Sequence, residues 1–404
     1  VGVETANLLQ RIGVVLFLLA TLLAAGCVSN PPAPVAKVPM EFEPAIKKLA
    51  DNLFAQIKAG RGLLAGKTVF VIDPFIDANT AEVNEMSQQI EQIMVRELRS
   101  AFPEFRVEAM TPQTLATATH VINGSTRVDR STPERFYRVS SSVVDAKTGV
   151  VAANAEVWVL NQQLKHAPVS SYRDSPMYLK DKRVEGYIAT TLTPAGELAD
   201  REYFDSLPTA ALLAEADKAF EESDYKRALA IYQLAESRQD GKIMKTYSAL
   251  YQCHRKLGRA AEAEEAFIRL VDLGLANMNI STRFLFSVNS TEFIADNDLR
   301  SQYALWLKHI AKRTAAAGVC LQILGHSSRS GTEKYNENLS LQRAQSVQKI
   351  VQKDFVGAGQ KTKAIGRGYR DNIIGSGSDD TQDAIDRRVE FRVTDCSRLQ
   401  VESR

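Results

Sequence analysis

The chain has 404 residues, of which 45% are hydrophobic and 24% charged, so it can bury the cores of two or three domains. Its 50 basic and 48 acidic residues leave a net charge of +2. This balance provides no strong field for attracting nucleic acid or anionic headgroups. We therefore expect a multidomain globular protein that does not bind nucleic acid.

The N-terminus carries a targeting signal. Arg11 precedes an apolar run that ends in small residues and Cys27, and the run is too short to cross a bilayer comfortably. The stretch LLAAGC at 22–27 resembles the bacterial lipobox, which implies a signal peptide over 1–26 and a lipid on Cys27. Val28 follows the cysteine and favours the outer membrane, with the protein facing the periplasm. An uncleaved signal anchor is the alternative.

The next two segments are a tether and a mixed domain. Prolines make 27–40 an extended tether. In 41–208 we expect an α/β sandwich with a strand over 68–72, a helix over 82–101 and a strand at 120–122 that ends at Asn123-Gly124. A hairpin should turn at Gly149, where a positive φ is needed. The segment resembles the small α/β domains of periplasmic lipoproteins such as LpoB and FlgO, which engage partner proteins.

The pattern in residues 209–279 predicts helices with an internal repeat. Ala228 and Tyr232 recur as Ala263 and Phe267, close to the tetratricopeptide period of roughly 34 residues. A small alanine lets paired helices approach while the aromatic ring fills the gap, and Gly258 suits the turn between them. The segment is either a protein-binding surface or a structural spacer.

Three cysteines follow Cys27. Cys253 falls in the helical region, whereas we place Cys320 and Cys396 on two apolar strands near the ends of the last domain. In an oxidising compartment these two pair if their strands are neighbours. The alternative is a pair of buried thiols that pack as small hydrophobic groups.

The most specific pattern lies in 280–396. Its motifs are, in chain order, Gly325-His326-Ser327-Ser328, Gly331, Asn336, Leu339-Ser340, Arg343-Ala344, Gly366-Arg367-Gly368 and Asp386-Arg387-Arg388-Val389. Their order and spacing resemble the OmpA-like peptidoglycan-associated family. This resemblance implies a C-terminal α/β sandwich, and with the preceding segments it makes the whole chain an α+β multidomain protein.

The resemblance also implies a ligand and its site. Members of the family hold the diaminopimelate of the peptidoglycan stem peptide, whose ammonium and carboxylate sit on one carbon. In the family, an aspartate pairs with the ammonium. An arginine, here Arg343, binds the carboxylate through two parallel charge-assisted hydrogen bonds. The predicted site consists of Ser327, Ser328, Asn336, Leu339, Arg343, Asp386 and Arg387.

Two positions depart from the family pattern. Ser328 stands where the family has its aspartate, and losing that charged partner costs about 1.5 to 3 kcal/mol. Glu333, in the same loop, is a candidate replacement. Asp386 replaces an asparagine and would either restore the ammonium partner or pair with Arg387. These changes leave three alternatives: wall binding with altered chemistry, a domain kept only as a fold, or a different anionic ligand.

No constellation for catalysis or for a cofactor is present. The five histidines are scattered without a metal-ligand spacing, and there is no nucleophile elbow. We therefore expect a non-enzymatic outer-membrane lipoprotein that tethers to peptidoglycan and scaffolds unidentified envelope or secretion-apparatus proteins. The alternative is a regulatory activator of a wall-synthesising enzyme, in which the last domain serves only for localisation.

Overall fold

The computed structural model describes residues 38–61, 66–129, 136–160, 164–354, 361–373 and 382–401. The predictions of a signal peptide over 1–26 and of lipidation at Cys27 lie outside these ranges, as does the tether up to residue 37. Among the helices that are described, none is both long enough and apolar enough to cross a membrane.

A twisted sheet organises the first third of the described chain. Its strands are β1 (Pro39–Met40), β2 (Thr68–Ile72), β3 (Ile76–Asp77), β4 (Phe105–Ala109), β5 (His120–Asp129), β6 (Phe136–Asp145) and β7 (Val151–Leu160). Within the described residues the order is β1-β7-β6-β5-β2-β4, with β3 also paired to β5. Strands β5 to β7 are antiparallel neighbours, and β2 runs parallel to both β4 and β5. The predicted hairpin is confirmed, with φ of 74° at Gly149.

One predicted strand end was wrong. Strand β5 continues through Asn123 and Gly124 to Asp129 instead of turning there. The reason is the ring of Phe75, which packs so tightly on Gly124 that a Cβ atom there would lie 1.9 Å from it. Glycine at this position serves close packing within a strand and does not mark a turn.

Two helices cover one face of this sheet: α1 (Phe42–Gly60) and α2 (Glu85–Ala101). Their apolar stripes join strand residues such as Phe70 and Val143 in one core. Helix α2 begins at Glu85, not at residue 82 as predicted, because the Asn84 side chain accepts a hydrogen bond from the Ser87 N–H and so caps the helix.

Glu91 on α2 makes stability depend on pH. Burial raises its pKa to about 7, although the Phe75 N–H donates to its carboxylate at 2.9 Å. The stability that the protonated form contributes is complete below about pH 4.5 and is lost as pH rises through 7. We expect Glu91→Gln to leave stability nearly unchanged at pH 4 and to raise it by roughly 2 kcal/mol at pH 8. Denaturant titrations at both pH values test this, with the exposed Glu262→Gln as a control that should change neither.

The other face of the sheet meets short helices and a helical segment. The short helices are α3 (Pro112–Leu115), α4 (Ser170–Arg173), α5 (Lys182–Thr191) and α6 (Arg201–Asp205). The segment contains α7 (Leu207–Glu221), α8 (Tyr225–Ser237), α9 (Met244–Lys256) and α10 (Ala260–Ala276). Consecutive helices pack on one another through short loops, and Gly258 adopts φ of 72° between α9 and α10. The four repeat positions on α8 and α10 are buried, but the assignment to tetratricopeptide repeats stays a prediction.

A second, smaller sheet forms the C-terminal domain. It consists of β8 (Phe284–Leu285), β9 (Cys320–Gly325), β10 (Thr362–Gly366) and β11 (Arg388–Thr394), in the order β10-β9-β11-β8 within the described residues. The helices are α11 (Asn297–Ala317), α12 (Glu333–Asp354) and the short α13 (Cys396–Val401). Both long helices pack on the sheet and complete a second α/β sandwich. The α+β class is therefore as predicted.

The segments share one core. A continuous cluster of buried apolar side chains runs from Val71 in the first sheet through the helical segment to Val393 in the second. Helix α11 joins the segment directly: Trp306 stacks on Phe267 with 5.9 Å between ring centroids and donates to the Tyr251 hydroxyl at 2.9 Å. Within 39–404 the chain is a single compact unit.

The cysteines of the C-terminal domain form a disulfide between Cys320 and Cys396. The prediction that both lie on strands was half wrong, because Cys396 is the first residue of α13, just after β11 ends. The neighbouring strands still bring the two together, since Thr394 on β11 is paired with Cys320 on β9. Cys253 is a buried free thiol, whose pKa burial raises to about 12.

Candidate functional site

Arg343 is at the centre of the predicted site, and the structure places it in the interior. It lies on α12 with 0% of its surface exposed. Its guanidinium donates to three backbone carbonyl oxygens: Nε to Ser290 at 2.8 Å, Nη1 to His326 at 3.0 Å and Nη2 to Ser287 at 3.0 Å. The charge is thereby solvated by oxygen dipoles in place of water.

The loop 287–292 supplies two of these carbonyls and folds over the arginine. It is closed on itself by a bond from the Ser287 N–H to the Glu292 carbonyl at 3.0 Å. Below the guanidinium lies the ring of Phe286, with its centroid 5.4 Å from Cζ. This geometry favours a cation–π contact, which helps to orient the planar guanidinium.

The two serines of the predicted site are also buried. Ser327 donates its N–H to the Gly368 carbonyl at 3.0 Å, which ties this loop to the end of β10. Among the described residues its hydroxyl has no hydrogen-bond partner. Ser328 is 5% exposed. The position where a carboxylate is expected therefore carries an uncharged side chain in a largely desolvated place.

Asn336 and Leu339 lie at the start of α12 and support the same loop. The Asn336 amide donates to the carbonyls of Ser330 at 2.7 Å and Thr332 at 3.1 Å. Leu339 lines a cavity of about 530 Å³ together with Glu292 of the loop 287–292. Asn336 thus holds the loop in place through its two backbone contacts, while Leu339 contributes apolar surface to the cavity.

The remaining predicted residues contact neighbouring backbone. The Asp386 carboxylate accepts from the Ile373 N–H at 2.6 Å, and Arg387 Nε donates to the Phe286 carbonyl at 3.4 Å. Through Phe286, Arg387 shares a neighbour with Arg343. Glu333 is an exposed partner of Arg370, with its carboxylate oxygen 3.4 Å from the guanidinium.

Residues 285–386 match the model of the OmpA family. The C-terminal segment is an OmpA-family domain. None of the curated proteins matches the chain.

Solved structures from several bacteria are similar to parts of this chain. The peptidoglycan-associated lipoprotein from Burkholderia pseudomallei is 22% identical and covers 28% of this chain and 89% of its own, with a TM-score of 0.24. The C-terminal domain of Helicobacter pylori MotB is 21% identical over 30% of this chain and 89% of its own, with a TM-score of 0.23. The LpoB C-terminal domain from Salmonella enterica is 10% identical over 30% of this chain and 99% of its own, with a TM-score of 0.22.

A buried charged group on the sheet of the OmpA-family domain was missed in the sequence. His326 contacts Glu390 through Nε2 at 3.1 Å, and Arg388 Nε donates to the same carboxylate at 3.4 Å. Burial alone would raise the pKa of Glu390, but Arg388 and His326 outweigh it and hold that pKa well below its usual range. Burial and Arg388 lower the pKa of His326.

The sequence carries a weak indication of this group of His326, Arg388 and Glu390. Arg388 and Glu390 are two residues apart on β11 and therefore share a face of the sheet, and the His326 N–H donates to the Arg388 carbonyl across the strands. Only the strand pairing identifies which residues meet. In the described part of the chain, no group of three or more histidine, cysteine or acidic side chains could hold a metal ion.

Proposed function

We propose that this protein binds peptidoglycan through its OmpA-family domain, with Arg343 receiving the carboxylate of the diaminopimelate residue. The match of 285–386 to that family carries the proposal. The matching arginine position and the convergence of Ser327, Ser328 and Arg387 around the same loops support it. The Burkholderia protein with a similar structure is itself a peptidoglycan-associated lipoprotein by name.

The proposal includes an anchor and a role for the other segments. Cys27 would carry the lipid that holds the protein to the outer membrane, and 41–279 would present surfaces to envelope partner proteins. No catalytic step is proposed. The lipobox-like stretch before Cys27 and the two pairs of helices between the sheets support this arrangement.

Binding at Arg343 requires the loop 287–292 to open. The guanidinium is fully covered, and Ser287 and Ser290 of that loop supply two of its carbonyl contacts. A wall carboxylate would replace these two carbonyl oxygens as the acceptor, so the guanidinium would face a full negative charge instead of neutral dipoles. The ammonium of the same diaminopimelate residue would lie near Ser328, which supplies no negative charge to pair with it. We therefore expect weak binding.

Retention on diaminopimelate-type peptidoglycan sacculi tests the proposal, using the full chain without its signal peptide. We expect measurable retention of the wild type, and about ten- to a hundred-fold stronger retention of Ser328→Asp, which restores the missing charge. Ser328→Asn is the matched control because it adds similar volume without charge, and it should not strengthen retention.

Arg343→Lys completes the design. Lysine keeps the charge but cannot donate two parallel hydrogen bonds to one carboxylate. Retention of the variant on sacculi should therefore fall, while its circular dichroism stays that of a folded protein. If the wild type and Ser328→Asp are both washed from the sacculi, or if Ser328→Asn binds as well as Ser328→Asp, the proposed wall site is wrong.

A further inference from the structure

A polar cleft of about 720 Å³ lies where the OmpA-family domain meets the first domain. One wall comes from β11 and the turn after β10, including Arg388 and Arg392. The opposite wall comes from the start of α5 and the segment before it, including Tyr178, Lys180 and Lys182. None of the seven residues of the predicted wall-binding site lines this cleft.

The charges in the cleft are unevenly paired. Three cationic side chains that line it, Lys180, Lys182 and Arg392, form no ion pair or side-chain hydrogen bond with any described residue. Of the carboxylates that line it, Glu390 is paired with Arg388, and Asp371 with Arg367 at 2.8 Å.

The two other carboxylates differ from each other. Asp181 is buried and accepts the N–H groups of Val184 at 3.1 Å and Met244 at 3.3 Å. Glu185 is exposed and, like Asp181, has no ion-pair partner among the described residues. Three unpaired cations against these two carboxylates leave the cleft a local positive excess of one charge, although the whole chain is nearly neutral.

Two buried donors add an independent observation. Arg388 is 4% exposed, and its Nη1 has no hydrogen-bond partner among the described residues. Tyr178 is 6% exposed, and its hydroxyl is likewise without a partner in the described part of the chain. Both side chains line the cleft. Buried polar atoms are normally satisfied, so two such donors beside one cleft favour a ligand with acceptor groups over one without them.

We propose that this cleft binds an acidic peptide segment. Its volume lies in the range of pockets that enclose a small ligand, roughly 300 to 1,000 Å³. The three free cations attract carboxylates, and the two buried donors suit carboxylate or carbonyl oxygens. A peptide also brings N–H donors for Glu185 and the Asn79 side chain, which line the same cleft. A fully ionised phosphate group has acceptors only and offers no donor to Glu185 or to the Asn79 side chain.

Fluorescence polarisation of labelled tetraglutamate with the full chain tests the proposal at low salt. We expect saturable binding that weakens as salt is raised to 0.5 M, because the rim charges are exposed. The uncharged tetraglutamine peptide should not bind. The triple variant Lys180→Gln, Lys182→Gln, Arg392→Gln should bind tetraglutamate at least ten-fold more weakly than the wild type.

The matched control is a second triple variant, Lys48→Gln, Lys226→Gln, Lys349→Gln, which removes three exposed cations elsewhere. It changes the net charge equally and should bind like the wild type. Equal losses in both triple variants would show attraction to overall charge and overturn the proposal. The same conclusion follows if the wild type does not bind, or if inorganic pyrophosphate binds the cleft and tetraglutamate does not. Sacculus retention through Arg343 is measured separately, so failure of one proposal leaves the other standing.

Discussion

Replacing both Cys320 and Cys396 with alanine is expected to lower the free energy of unfolding by about 4 kcal/mol. The disulfide joins residues separated by 76 positions, and closing so long a loop removes many conformations from the unfolded chain. It also fixes the start of α13 to the start of β9. The denaturant midpoint of the oxidised double variant, compared with the oxidised wild type, measures the effect.

Two controls accompany this prediction. Alkylation without reductant followed by mass spectrometry should modify Cys253 only after unfolding and should leave Cys320 and Cys396 linked. Reduced wild type should unfold at nearly the same denaturant concentration as the double variant. A double variant that unfolds together with the oxidised wild type would show that the crosslink contributes nothing.

Arg283→Met is expected to cost about 3 to 5 kcal/mol, since it breaks a buried ion pair between the first domain and the OmpA-family domain. Arg283 Nη1 lies 2.8 Å from the Glu82 carboxylate, and the two side chains are 9% and 4% exposed. The same guanidinium donates to the carbonyls of Tyr172 at 3.3 Å and Ser175 at 3.1 Å. Removing it leaves a buried carboxylate, whose pKa burial already raises, without its cation. Denaturant unfolding of the full chain measures the loss.

A surface pair provides the comparison. Arg96 lies 2.7 Å from Glu43, but both side chains are more than half exposed, so Arg96→Met should cost less than about 1 kcal/mol. Adding Glu82→Gln to Arg283→Met should recover part of the loss because no unpaired charge remains. Equal small losses for Arg283→Met and Arg96→Met would contradict a buried pair between the domains.

Local patterns predicted the elements well. The β-branched run at 68–72 forms β2, the helical spacing of apolar residues forms α2, and Gly149 takes the positive φ that its hairpin needs. These features depend on residues close in sequence, where period and turn chemistry act. The error at Gly124 has the opposite origin, because the ring that requires a glycine there belongs to Phe75, about fifty residues earlier in the chain.

The membership of the candidate site stays a prediction from motif order, whereas its contacts could not be predicted from the sequence. Motif order placed Arg343, Ser328 and Asp386 in one domain, and the structure brings Arg343 to the loop after β9, where it donates to the His326 carbonyl. No local pattern could show that Arg343 is enclosed by three carbonyls, because two come from a loop more than fifty positions away. The buried group of His326, Arg388 and Glu390 likewise depends on strand pairing.

The shared core has a consequence for how this chain can be recombined. The OmpA-family domain packs Trp306 against the helical segment and sends Arg283 into the first domain. A chimera in which a relative's domain replaced 280–396 would leave Glu82 and Phe267 facing surfaces shaped for other neighbours. A stable chimera would therefore need a matching exchange at Glu82 for any exchange at Arg283.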